Sequence, residues 1–458
     1  MIKVVLILIP RLLRRAPVAA LVLAISAGGC EVVDRSKMSP RAGPSAAAID
    51  PLAESYVRLA LALGQHDPDY VDAYYGPEPW RSEAKGAKKP LGAIQSGAVR
   101  LIADLHRLDL SREEKIVRQR RDYLVGQLRA LATRCEMLQG RKLSFDEESK
   151  GLYDAVAPSH TEAEFLGVLQ KLDKMLPGRG SLGERYQAFK KTFVVPTDRL
   201  DAVFTAAIRE AHRRTLEHIR LPPDESFTIE YVTGKPWSGY NWYQGKSRSL
   251  IQVNTDLPVY VDRAVDLAAH EGYPGHHVFN ALLEQHLAKE RGWVEFTIYP
   301  LFSPASLIAE GSANFGIDMV FPGEERVDFE RRVIFPLAGL DPHRAGNYHD
   351  VLELMHELDY AGNEAGRRLL AGQMSADEAA TWLTVYTLAP REYAQQRVRF
   401  IEKYRSYIIN YNLGRDLVRR YIESRGGTPD RPDKRWEEFE ELLSTPRLPS
   451  SLHATERP

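Results

Sequence analysis

Cysteine is almost absent from this 458-residue chain, which has only Cys30 and Cys135. That excludes a disulfide-stapled scaffold, which needs several pairs inside its folded part. A basic excess is also missing. The 61 Lys and Arg balance 62 Asp and Glu for a formal charge of −1, which argues against a nucleic-acid protein. No repeat with a period of about 20–50 residues is visible, so a solenoid is excluded. The apolar stretch near the start, Pro17 to Gly29, falls short of the about 20 residues that a membrane span needs. What remains is an ordinary globular mix, 44 % apolar and 27 % charged. Its length allows two to four units or one large catalytic body.

The first thirty residues read as an address. Lys3, Arg11, Arg14 and Arg15 precede the apolar stretch, and Gly28-Gly29 stand directly before Cys30. A basic region, a short apolar core and small residues at a cut site mark an export signal. The small pair before Cys30 resembles a bacterial lipoprotein signal, with Cys30 as the lipidated N-terminus. Ala27 replaces the Leu usual three residues before that Cys, so plain secretion into the periplasm or medium is the alternative. Residues 31–48, polar and rich in Ser, Ala and Pro, then serve as a tether. Cys135 falls in the stripe Leu124, Leu128, Leu131, Cys135, Leu138 and is expected as a buried thiol.

Beyond Ile49 helical periodicity dominates, as in Ile94, Ala98, Ile102 and Leu105. Capping boxes are predicted at Ser144 with Glu147, Thr161 with Glu164 and Ser375 with Glu378. Breaks are predicted at Pro177–Gly180, Pro222-Pro223 and Gly426-Gly427. From Phe227 to Asp256, alternation and β-branched residues around turn signals predict a small antiparallel ribbon instead. The expected organisation is a signal over 1–30, the tether over 31–48, a helical region over 49–220, a catalytic region over 221–445 and a polar tail over 446–458.

The chemistry concentrates at His270-Glu-Gly-Tyr-Pro-Gly-His-His277, which holds three of the chain's 13 histidines. In the zinc-peptidase helix His-Glu-x-x-His, two imidazoles lie one turn apart and the Glu acts as general base. Here His276 is six steps from His270, and a regular helix would turn it about 240° away. Pro274 cannot donate to the His270 carbonyl, and Gly272 and Gly275 accept unusual backbone angles. A broken turn there brings a later imidazole back. His276 needs the smaller insertion, and His277 is the alternative. Glu310 is the third ligand candidate, on a helix beginning Ser303-Pro304 with a capping hydroxyl and rich in small residues. Asn314, one turn on, is placed to orient it. Glu284 and Glu290 compete but share a helix whose charges read as a solvated face.

The motif closely resembles the His-Glu-x-x-Pro-Gly-His-His signature of a large, mainly helical bacterial family of unknown function, grouped with the zinc peptidases of the His-Glu-x-x-His superfamily. Similarity extends to Asn254-Thr-Asp upstream, Glu310-Gly downstream and Ser406-Tyr-Ile-Ile-Asn-Tyr411-Asn-Leu-Gly414, over residues 50–425. Two departures stand out. Glu364-Ala-Gly-Arg-Arg368 occupies the place of the family's Asp-Thr-Gly-x-His, and Ser312-Ala-Asn replaces aromatics after Glu-Gly. Arg368, Tyr348 and Tyr411 are candidates for the missing histidine's work.

The expectation is thus a mainly α, zincin-like body with a small β ribbon beside the active-site helix. One Zn2+ on His270, His276 and Glu310 would lower the pKa of water towards about 7, with Glu271 as general base and Tyr411 as oxyanion donor. Tyr240, Asn254 and Arg368 are the expected substrate-binding residues. Trp237, Tyr240, Trp242 and Tyr243 offer a cleft wall, and the ribbon offers an edge for strand addition. A peptide is the expected partner, without nucleic acid and with membrane contact through the lipid alone. Analogy with helical carboxypeptidases points to short peptides or chain ends. The alternatives are an inactive peptide-binding lipoprotein or an amide hydrolase acting on cell-wall fragments.

Overall fold

Local signals set the helix boundaries. Ser144, Thr161 and Ser375 each accept from the amide three residues on, and Glu147, Glu164 and Glu378 bond back to the cap amides. Ser181 and Glu184 form a fourth such box. Each cap is worth about 1 kcal/mol. Ser303 departs from expectation. Its hydroxyl donates to the nearby Pro300 carbonyl (2.7 Å), so the Pro304–Val320 helix begins on its proline without a side-chain cap.

The structure, a computed structural model, describes residues 3–4, 44–235, 237–256 and 258–453. The expected signal core, Cys30 and most of the tether lie outside the described residues, as do 454–458. Helix makes up 67 % of the chain and strand 7 %, a mainly α fold with a small β ribbon. Among the described residues no helix is long and apolar enough to cross a membrane.

One sheet holds β1 (Lys3–Val4), β3 (Ser226–Val232), β5 (Arg248–Asn254) and β4 (Gly239–Tyr243), in that order. The β4–β5 hairpin is antiparallel, whereas β3 runs parallel to β5. The direction follows from the path: the chain leaves β3, takes the far edge as β4 and returns between them. A second sheet pairs β2 (Val71–Tyr74) with β6 (Ile298–Pro300), antiparallel. The register slips between Val71 and Ala73, so Asp72 is the extra residue of a bulge, a device that re-aims a side chain.

The N-terminal helices and the later region share this second sheet. Arg120, 2 % exposed, binds them further: it donates to Glu295 (2.6 Å) and Asp50 (2.7 Å). Cys135 is a free, buried thiol in the Lys115–Leu138 helix. Residues expected as a polar tail are docked as far as Leu452, which is buried, and a Cβ on Gly126 would collide with Leu448.

The centre of the body is a helix pair, Pro304–Val320 against Ile409–Ser424. They touch at glycine on both sides. A Cβ on Gly311 would lie 2.5 Å from the Gly414 carbonyl carbon, and one on Gly414 would lie 2.8 Å from the Leu307 oxygen. Backbone blocks both, so neither can be relieved by a rotamer change. Gly311→Ala is therefore expected to destabilise the protein by about 1–3 kcal/mol in urea unfolding. Unchanged stability would contradict the contact.

Candidate metal centre

The Val261–Leu267 helix does not end at His270 but widens into a π turn over Ala268–Gly272. Tyr273 donates its amide to Ala268 (3.1 Å) and Gly275 donates to Ala269 (2.9 Å), so the chain loops outward. Pro274 has no amide to offer the His270 carbonyl. Only glycine fits at 275, because a Cβ there would lie 1.9 Å from the His270 oxygen. The helix then restarts as His276–Leu283. This detour sets the His270 and His276 rings 4.7 Å apart and nearly perpendicular.

A largely shielded carboxylate pins the detour. Glu225 accepts from the Tyr273 hydroxyl (2.7 Å), from His277 Nε2 (2.8 Å) and from His212 Nε2 (3.2 Å). Ser249 Oγ meets His277 Nδ1 at 2.8 Å. His277 is thus committed to the clamp, and His276 is the histidine beside His270. Burial pushes the Glu225 carboxyl up, but its bonds to His212 and His277 override this and bring it down to about 2.

Glu310 completes the group. Its Oε2 lies 3.4 Å from His270 Nε2 and 3.7 Å from His276 Nε2. Yet Oε2 is buried without a hydrogen-bond partner among the described residues. Its Oε1 accepts from the Tyr407 hydroxyl (2.8 Å). The three ligand atoms lie within 4.8 Å of one another. Burial raises the Glu310 carboxyl, but the two imidazoles dominate and hold it well below the usual carboxylate range. An orphaned carboxylate oxygen facing two imidazole nitrogens fits a divalent cation, and two His with one Glu is a zinc donor set. Tyr407 then orients the carboxylate from behind.

The group opens on a cavity of about 980 Å³, the size of a small-molecule site. Glu271 borders it and is 5 % exposed. Among the described residues its carboxylate makes no hydrogen bond, while its carbonyl accepts from Asn241 (2.7 Å). A Cβ on Gly239 would lie 3.2 Å from Glu271 Oε1, so the sheet edge β4 packs against this carboxylate. Tyr411 lines the cavity, its ring 5.8 Å from that of Tyr407. Tyr240 also lines it, donates to Asp72 and lies between Trp237 (5.5 Å) and Trp242 (4.7 Å).

Other expected site residues are used differently. Asn254 borders the cavity, but its amide donates to the Lys235 and Trp237 carbonyls (2.9 and 3.0 Å) and shapes the loop before β4. Asn314 donates to the Tyr411 carbonyl (3.1 Å), tying the helix pair together rather than orienting Glu310. Arg368 does not reach the cavity: it pairs with Glu162 (3.2 Å) and covers Trp382. Tyr348 is buried elsewhere and donates to Asp262 (2.6 Å). Glu284 is no solvated group, because the loop after β4 folds over it and donates the Lys246 and Ser247 amides (2.9 and 3.2 Å). Sequence reasoning passed over Tyr407, although it stands one helical turn before Tyr411. It also passed over Asp72, for which no local pattern exists.

The Glu225 clamp makes a pH-dependent prediction. Its folded value near 2 lies below its ordinary 4.5, so it adds stability above pH 4.5 that is lost as pH falls towards 2. The size is on the order of 3 kcal/mol. Glu225→Gln is expected to lower stability at neutral pH and to flatten the decline between pH 4.5 and 2 in acid titrations of urea unfolding. An equal slope in variant and wild type would contradict the clamp.

No family model matches the sequence, and no curated protein does. Among solved structures, the fold is similar to a "putative lipoprotein" from Colwellia psychrerythraea, at 16 % identity and a TM-score of 0.50, over 81 % of this chain and 70 % of that one. A "putative lipoprotein of unknown function" from Shewanella oneidensis aligns at 11 % identity and a TM-score of 0.42, over 81 % and 79 %. The chain thus shares its overall fold with the Colwellia protein.

Proposed function

We propose that this chain is an exported envelope lipoprotein that holds one Zn2+ at His270, His276 and Glu310 and hydrolyses peptide bonds. The observation that carries the reading is the buried Glu310 Oε2, which has no hydrogen-bond partner among the described residues and faces two imidazole nitrogens. Gly28-Gly29-Cys30 and the fold likeness to a lipoprotein-named neighbour support the location.

A bound cation supplies Lewis acidity and lowers the pKa of water. Glu271, whose carboxylate makes no hydrogen bond among the described residues and which follows His270, takes the proton of the attacking water and passes it to the leaving amine. Burial and the neighbouring Glu310 push the Tyr411 hydroxyl far above its ordinary value. It therefore stays protonated and donates to the developing oxyanion. Edge strand β4 has its outer side unpaired among the described residues, and it lines the cavity beside Glu271. An extended peptide can add there as a further strand, with Trp237 and Tyr240 as wall.

A second reading is a peptide-binding lipoprotein without turnover. It is favoured by Arg368, which stands where relatives in the resembled family carry a histidine yet pairs with Glu162 outside the cavity. Metal analysis and peptide assays on the purified protein separate the two. Hydrolysis predicts one zinc per chain in the wild type and in Glu271→Gln, with turnover falling about 10²–10⁴-fold in the latter. His270→Ala is expected to lose the metal. Zinc without turnover on peptide and muropeptide panels would leave the binding reading, and turnover on muropeptides alone would make the chain a cell-wall amide hydrolase. A metal-free wild type would overturn both metal-dependent accounts.

A further inference from the structure

We propose that Arg397 is the carboxylate-binding residue of the cavity and takes the C-terminal α-carboxylate of a peptide, which makes the enzyme a carboxypeptidase. Turnover rests on the hydrolase reading above; the anion site itself does not.

Arg397 belongs to the Arg391–Tyr404 helix, whose Tyr393, Arg397, Phe400 and Tyr404 recur at helical spacing and line the cavity together. Its guanidinium carbon lies 4.9 Å from the Phe400 ring centre and 5.9 Å from that of Tyr411. Among the described residues it has no ion pair and no hydrogen bond. Of the arginines at the ends of this helix, Arg391 pairs with Asp377 and Arg405 with Glu148. The other cations of the cavity are also engaged. Lys190 lies over the Tyr260 ring, and Arg263 contacts Asp266 (3.8 Å) and Ser238 (3.1 Å). Asp359 also borders the cavity and its charge acts on Arg397, but its direct contact is with His356 (3.3 Å).

Burial pushes the Arg397 guanidinium down, yet an arginine stays charged in proteins. A shielded cation with five free donors is costly unless an anion meets it, and a carboxylate does so with two parallel hydrogen bonds. Tyr411 connects this group to the reactive end. Its ring sits under Arg397 on one side and 5.8 Å from that of Tyr407, which donates to Glu310, on the other. A carboxylate held by Arg397 therefore lies close to the bond being cut, as the terminal carboxylate does in the last residue of a peptide. Water adds its oxygen to the penultimate carbonyl carbon, the C–N bond breaks, and Glu271 returns the proton to the departing amino acid.

The test uses the full, zinc-loaded chain carrying Glu271→Gln, so that binding is read without turnover. N-acetyl-trialanine and its C-terminal amide are compared by calorimetry. The acid is expected to bind at least about tenfold tighter. Arg397→Gln should reduce that ratio to within about twofold, and Arg397→Lys should retain part of it, with zinc content equal in all three as the folding control. No preference for the acid, a preference that survives Arg397→Gln, or no binding of either peptide would overturn the proposal. So would equal affinity for an amidated peptide with a glutamate side chain. Discrimination through Arg397 in a chain whose wild type hydrolyses nothing would sink the hydrolase reading and leave this site standing.

Discussion

The candidate centre depends on one chain reversal, the loop from Ala269 to Gly275 that returns His276 to the side of His270. A continuous helix would separate these imidazoles. The loop exists because Pro274 withholds a donor, Gly275 tolerates the His270 carbonyl at its α-carbon, and Glu225 ties Tyr273 and His277 to β3's approach. The clamp is built of polar groups in a buried setting, where a satisfied network fixes one arrangement and a broken one is expensive. His277, directly after the candidate ligand His276, therefore does the positioning.

A second constraint delivers the carboxylate. Helices packed glycine to glycine at Gly311 and Gly414 approach closely enough for Tyr407 to reach Glu310. The same pair presents Tyr411 to the cavity, and the Arg391–Tyr404 helix places Arg397 over it. Asp72, Glu271 and Glu310 border this space near β2 and β4, and Arg397 borders it across Tyr411.

Much of this was legible locally. The motif at 270–277, its proline and glycines, and the small residues around Glu310 each reflect a contact that the fold makes. Capping boxes and stripes located helices for the same reason: their physics lies within one turn. Arg368 and Tyr348 suit the role by residue type alone, and tertiary pairing with Glu162 and Asp262 claims both. Asp72 was invisible because its position comes from a bulge against β6, a pairing across about half of the chain. The ribbon's parallel strand was missed because alternation reports a strand but not its direction. Arg397 left a trace, an aromatic face with one arginine at helical spacing, in a helix otherwise too charged to draw notice.

The central claim is that His270, His276 and Glu310 share one cation. Anomalous diffraction collected above and below the zinc absorption edge, from crystals grown with zinc, tests it most directly. The account predicts a single strong peak about 2.0–2.2 Å from His270 Nε2, His276 Nε2 and Glu310 Oε2. A peak elsewhere, or none between these three side chains, would contradict it.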